Sequence, residues 1–345
     1  MILNVEHSTS TPLSLCQNTP AHPQHLQPSH FHPTPFIIKS KLQYERTRNM
    51  LVYDNRLSGV RVHAFSTGQV AVKKPYRQWR GVEALRIPAL VASPSWTDWL
   101  PVWSYLVELP DMKVLIDTGE TPRVNEDDWF KDHTKNEWLL KRLIRFNIEP
   151  SQGIGAQLQR AGIDPTEIDY TILTHSHTDH AGGLSDLPGT QVIMSRKEFD
   201  QSQRFLLGAV SEKWPSRIEF KLTDFPDSDA LFKGADHSMH PQLSLVSTPG
   251  HTDGHLSVIL RDGDLSLFFA GDVTFNQSQL AGKRIPGISA SFEHAYATMG
   301  AIRSYALYHP TIYLPSHDPD IVTRLDQRKT LTRSEVVTYT GQRPV

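Results

Sequence analysis

One cysteine, Cys16, stands in 345 residues. Disulfides within the chain are thereby excluded, and so are zinc sites of the thiolate finger type, which need several cysteines. No apolar run approaches the ~20 residues of a membrane span. The first residues lack a continuous apolar stretch after a basic start, so a secretory signal is not expected. Charge of one sign is missing too. Lys and Arg number 35 against 37 Asp and Glu, a formal net charge of -2. That supplies no global basic field for nucleic acid. The rest, 38% hydrophobic and 21% charged, suits a soluble globular protein of one large domain or two small ones, with the cytoplasm as the expected compartment.

Residues 1–50 stand apart. "TPAHPQHLQPSHFHPTP" is rich in Pro, His and Gln without hydrophobic periodicity, and reads as a disordered leader. His22, His25, His30 and His32 within it could hold a metal only loosely. From Arg61 the pattern turns strand-like. "VRVHAFSTGQVAV" alternates around a Thr-Gly turn. "VWSYLVELPDMKVLIDTG" predicts a hairpin, with strands 102–109 and 112–116 joined by Pro-Asp. "NEWLLKRLIRFNI" and "IGAQLQRAGI" carry apolar residues at helical spacing, and Gly162 fits a helix C-cap. A strand is expected at 169–173, and a helical insertion around 199–240. Three short strands follow in "LSLVSTPGHTDGHLSVILRDGDLSLFFAGD", then a helix in "SFEHAYATMGAIRSYAL" and a strand in "TIYLPSHD". Mixed strands and helices with hairpins predict an α/β sandwich over residues 51–345, with sheets inside and helices outside.

"THSHTDHAGG" places His175, His177, Asp179 and His180 directly after the apolar run Tyr170–Leu173. Imidazole and carboxylate suit zinc and similar divalent ions. More candidates follow other β-rich runs: Asp117 in "LIDTG", His251 in "TPGHTDGH", Asp272 in "FAGD" and His317 in "LPSHD". Loops at one edge of a sheet can bring such distant residues together. His175, His177 and His251 could hold one ion. Asp179, His180 and His317 could hold a second, with Asp272 bridging. Two ions about 3.5–4 Å apart can share a hydroxide, the arrangement of two-metal hydrolysis. Gly182 and Gly183 would allow a tight backbone after the ligands.

"HSHTDHAGG" followed by "TPGHTDGH", "AGD" and "PSHD" resembles the metallo-β-lactamase superfamily over roughly residues 60–325. The resemblance implies an αββα sandwich and a dinuclear metal site, with Asp117 supporting the metal loop by orienting a ligand histidine. It is nearest to the N-acyl homoserine lactonase branch, through "VWSYLVELPDMKVLIDTGE", "QLQRAGIDPTEIDYTILTHSHTDHAGGL", "STPGHTDGHLSVIL" and "AGDVTF". A zinc β-lactamase of the cysteine-ligand type is disfavoured, since Cys16 lies in the leader. Aryl ester or organophosphate hydrolases and thioester hydrolases of the glyoxalase II type remain alternatives. One departure bears on substrate: many such lactonases carry a tyrosine three residues after the bridging aspartate, where this chain has Phe275.

The implied activity is hydrolysis of a lactone or ester by attack of the shared hydroxide, with Asp179 as the proton carrier to the leaving group. The expected cofactors are two divalent ions, zinc first among them. The expected partner is a small molecule with an apolar group, with neither nucleic acid nor membrane, and a homodimer stays open. Trp96, Trp99, Phe205 and Trp214 are candidates for an apolar wall around that group. Trp103, inside a strand, is expected in the core; His255 and His294 could be extra polar groups near the pocket, with a surface place expected for each.

Overall fold

A computed structural model of the protein describes residues 50–130, 134–204, 206–225 and 238–337. The expected leader lies outside the described residues except for Met50, as does Phe205. Thirteen strands run through the described part: β1 (Leu51–Asn55), β2 (Val60–Val72), β3 (Leu100–Leu109), β4 (Met112–Ile116), β5 (Ile144–Asn147), β6 (Tyr170–Ile172), β7 (Gln191–Ser195), β8 (Glu219–Thr223), β9 (Ser238–His240), β10 (Leu243–Ser247), β11 (Leu256–Asp262), β12 (Leu265–Gly271) and β13 (Thr311–Pro315). One sheet has the order β1-β2-β3-β4-β6-β7-β8, with β5 paired to β2; the other has the order β13-β12-β11-β10-β9. β4, β6, β7 and β8 run parallel, as do β12 and β13, while the hairpins are antiparallel. Among the described residues no helix is long and apolar enough to cross a membrane.

Strand alternation builds the layers. Along β3 and β12, Tyr105, Val107, Leu267 and Phe269 point into a core shared by both sheets. Their neighbours point outward: Leu106 packs on Ile154 and Leu158 of the helix Ile154–Ala161, and Phe268 and Ala270 pack on Met299 and Ile302 of the helix Phe292–Tyr308. Each sheet is apolar on both faces, so each needs a helical cover; the result is the αββα sandwich. Gly162 closes its helix at φ 75°, as its sequence position predicts.

Three elements differ from the sequence expectation. The Thr-Gly pair in β2 is a bulge within one strand, not a turn. The register slips between Ser66 and Gln69, and Gly68 has φ 122° with no room for a Cβ against Ile148. The helical run after Asn136 ends at Leu143, and Ile144–Asn147 pairs with β2. Free strand edge and β-favouring Ile and Phe outweigh the helical period there. The stretch around 199–240 is not a helical insertion in its described parts. A helix ends at Arg204, and β8 extends the first sheet in parallel register with β7.

Candidate metal centre

The five candidate loops leave the C-terminal ends of β4, β6, β10, β12 and β13. The parallel pairs β4–β6 and β12–β13 put these ends on one edge, so all seven candidate ligands and Asp117 converge. His175 Nε2 and His251 Nε2 each lie 3.0 Å from His177 Nδ1. A second set surrounds His180 and His317. Asp272 Oδ1 is 3.3 Å from His180 Nε2, and Asp272 Oδ2 is 3.3 Å from His317 Nε2 and 3.4 Å from His251 Nε2. Asp179 Oδ2 is 3.5 Å from His317 Nε2. Asp272 thus stands between the two sets. Asp179 is the most open of these donors, its side chain 14% exposed.

The surrounding hydrogen bonds fix which nitrogen of each ring faces inward. Asp117, at φ 56°, accepts from Thr174 N at 2.8 Å, Thr174 Oγ1 at 2.9 Å and His180 Nδ1 at 2.9 Å. That leaves His180 Nε2 directed at Asp272. Thr174 gives its only hydroxyl proton to Asp117, so at 3.1 Å it must accept from His175 Nδ1. The lone pair of His175 is then on Nε2, facing His177. His317 Nδ1 donates to Pro101 O at 2.9 Å, which turns its Nε2 inward. Such partners hold metal-binding imidazoles in tautomer and orientation.

Burial lowers the basicity of His175, and the neighbouring His180, His177 and His251 lower it further. Burial also holds His177 and His251 below the usual imidazole range. Neutral rings with facing lone pairs are the form that binds a cation. At His180 and His317 burial is outweighed, and the carboxylates of Asp272, Asp117 and Asp179 (Asp272 and Asp179 for His317) raise both rings above that range. Burial of Asp272 is likewise outweighed, and His317 and His180 hold its carboxyl well below the usual range. The field of this second set therefore favours positive charge.

These residues fit a pair of divalent ions. His180 Nε2 and Asp272 Oδ1 are buried without a hydrogen-bond partner among the described residues, although each faces the other across 3.3 Å. Ligand bonds of about 2.0–2.1 Å would separate the donors of a tetrahedral ion by roughly 3.3 Å. The 3.0 Å nitrogen spacings of the first set approach that value. Among the described residues, three groups of at least three donors lie within 4.8 Å of one another: His175, His177 and His251; His175, His180 and Asp272; Asp179, His180 and His317.

Several supporting residues take roles that the sequence did not assign them. His255, expected at the surface, is 1% exposed. Its Nε2 accepts from Asp272 N at 3.1 Å, and its Nδ1 lies 2.9 Å from Thr248 Oγ1. Burial drives its pKa down to about 3, so the ring is neutral. His294 is exposed as expected. Glu198 ties two ligand loops together, accepting from Ser176 N at 2.9 Å and Thr252 Oγ1 at 2.6 Å. Gly182 and Gly183 have ordinary room for their φ angles; the requirement is close approach. A Cβ on Gly182 would meet Glu120 Oε1 at 2.3 Å, and one on Gly183 would meet Thr118 O at 2.5 Å.

The aromatics scatter. Phe275 is buried, its ring stacked on His317 at 5.4 Å. Trp96 instead lies between Lys73 and Arg145, 3.8 and 4.1 Å from its ring, and lines a polar cavity with Lys74, Arg77 and Arg284. Trp99 is 44% exposed, and Trp214 packs on Phe220 at 5.3 Å. Trp103 packs against the shared core, as expected. The cleft beside His177, Thr178 and Asp179 is walled by aliphatic Leu140, Leu143, Ile144, Leu207 and Ile288, and by Tyr76.

Comparison with known proteins gives the same assignment at the level of family and fold. The profile of the Metallo-beta-lactamase superfamily matches residues 97–317. An N-acyl homoserine lactonase of Bacillus sp is 26% identical over 223 residues, which are 64% of this chain and 82% of the relative. The solved structure of an N-acyl homoserine lactone hydrolase, with the product N-hexanoyl-L-homoserine bound at its catalytic metal center, superposes with a TM-score of 0.62 at 20% identity. It covers 75% of this chain and 93% of its own. AidC, a dizinc quorum-quenching lactonase, superposes with a TM-score of 0.52 at 17% identity, over 79% of this chain and 92% of its own.

Proposed function

Because the chain belongs to the metallo-beta-lactamase superfamily, we propose that it is a metal-dependent hydrolase that opens a lactone ring, with N-acyl homoserine lactones as the substrate class. The observation that carries the reading is the position of Asp272 within 3.3–3.4 Å of His180, His317 and His251, between two sets of donors. His175, His177 and His251 would hold one ion and Asp179, His180 and His317 the other, with Asp272 shared. Two ions there, zinc by the nature of the donors, would polarise the ester carbonyl and make a bound water acidic near neutral pH.

The protein's own groups supply the rest. Asp179, the most open carboxylate of the set, takes the proton of the attacking water and returns it to the alkoxide that leaves as the C–O bond breaks. Asp117, through His180, and His255, through the Asp272 amide, hold the donors in place. The aliphatic wall receives the acyl group and excludes water from the reacting carbon. Residues 51–345 suffice for this chemistry, and the leader takes no part in it. Quorum quenching would be the biological consequence.

A second reading rests on Phe275. Stacked on His317, it presents a ring that cannot donate a hydrogen bond and suits a bulky apolar ester, as in an aryl ester or phosphotriester. Steady-state turnover on an N-acyl homoserine lactone, an aryl ester, a thioester and a phosphotriester separates the readings. The lactone should give the highest kcat/KM. A lactone rate at background, beside rapid turnover of another substrate, would replace the first reading with the second.

A further inference from the structure

Among the described residues lining the cleft that holds Asp179, Tyr76 carries a hydroxyl that the chemistry above leaves unused. It sits in the short helix Lys74–Arg77, where Pro75 occupies the first turn. Its ring is buried in a cluster with Val72, Leu90, Leu143 and Phe275. The ring edge meets Phe275 at 6.3 Å and 69°, and Phe275 in turn stacks on His317 at 5.4 Å. Tyr76 is therefore two aromatic contacts from the candidate ligands on one side. On the other it lines the cleft together with His177, Thr178 and Asp179.

The rest of the tyrosine is well held, whereas its hydroxyl is not. The segment is clamped from below: a Cβ on Gly287 would fall 1.9 Å from Pro75 O, so backbone lies directly on backbone there. Trp79 N donates to Ile285 O at 3.3 Å and Gln279 Nε2 donates to Arg77 O at 2.8 Å. Yet the Tyr76 hydroxyl forms no hydrogen bond with a described residue, and it is not among the sealed-off unpartnered atoms, so it opens on the cleft. An unpaired hydroxyl that opens on the cleft points to a partner that enters there.

We propose that Tyr76 is a catalytic hydrogen-bond donor, its hydroxyl placed to bind the carbonyl oxygen of the ester as that oxygen gains negative charge. This rests on the hydrolase reading given above. No bond to Tyr76 forms or breaks: water adds to the carbonyl carbon, the C–O bond to the leaving alkoxide breaks, and the phenol keeps its proton throughout. Burial, with Asp179 and Asp272 nearby, raises the phenol well above its usual range and so keeps it a donor at every working pH. A donor fixed before the charge appears needs no rearrangement at the moment of reaction. The arrangement also accounts for an apolar Phe275: with the donor on the facing helix, position 275 serves as a rigid spacer between Tyr76 and His317.

Tyr76→Phe removes the oxygen alone and keeps the ring contact with Phe275. The test compares wild-type and variant holoenzyme in three readouts: metal per chain, calorimetric binding of the ring-opened N-acyl homoserine product, and kcat and KM on the lactone. Metal content and melting temperature should match wild type. Product affinity should fall about 5- to 10-fold, and kcat should fall 10- to 100-fold with KM changed less than 3-fold. A variant with wild-type kcat and product affinity would overturn the role of Tyr76 while leaving the hydrolase reading intact. Loss of metal in the variant would also overturn it, by showing that Tyr76 supports the ligands instead. Wild-type protein inactive on every ester in the panel would overturn the hydrolase reading itself, and this role with it.

Discussion

The Nε2 of His255 accepts a hydrogen bond from the backbone amide of Asp272 at 3.1 Å, beneath Gly271, where a Cβ would lie 2.6 Å from the same nitrogen. One buried neutral ring thereby sets where the Asp272 carboxylate begins. His255→Phe keeps the ring volume but leaves that amide unpaired. Metal affinity should fall about 10- to 100-fold, and unfolding free energy by about 1–3 kcal/mol. Chelator competition and denaturant unfolding measure the two. Unchanged metal affinity would show that Asp272 does not depend on this bond.

Asp179→Asn keeps the shape of the carboxylate and one coordinating oxygen but cannot take up a proton. On the proposed chemistry, kcat should fall on the order of 10²–10⁴-fold while the metal content and melting temperature stay near wild type. Near-normal turnover with metal bound would assign proton transfer to another group.

Glu108, remote from the metal centre, supplies a pH dependence of folding. Its carboxylate lies 2.5 Å from His63 Nε2 and 2.9 Å from Arg61 Nη2. The hydrogen bond from His63 lowers its pKa against the opposing effect of burial. A carboxyl whose folded pKa is depressed adds stability above its unfolded value, near 4.3, and loses it as pH falls through the folded value. Glu108→Gln should therefore be less stable than wild type at neutral pH, and the gap should narrow in acid. Urea unfolding from pH 7 to pH 3 measures it. A gap of constant size would mean that the carboxylate charge is not what stabilises this edge of the sheet.

The candidate ligands were legible because each follows an apolar strand run, and strand ends on one sheet edge must meet. Asp117, in "DTG", was legible for the same reason, and the structure adds its three accepted hydrogen bonds. The layered architecture was legible in alternating runs such as that of β12. What escaped were residues whose role comes from contacts across the fold. His255 looks like one more polar residue in "HTDGH", and only the return of β12 beside β11 buries it under Asp272. Glu198 lies in a helix with a polar exterior, and its junction with Ser176 and Thr252 spans separate loops. Tyr76 lies far from every ligand motif in the chain. Trp96 misled for the converse reason. An aromatic in a loop near the site in sequence can equally stack on cations, as Trp96 does between Lys73 and Arg145.

The central claim is that two ions share Asp272, and elemental analysis of protein purified without chelator tests it most directly. The account predicts two divalent ions per chain, zinc among them, with the count falling toward one in His317→Ala, which removes a donor from one set only. A folded wild-type protein carrying no metal, with the same count in His317→Ala, would contradict it.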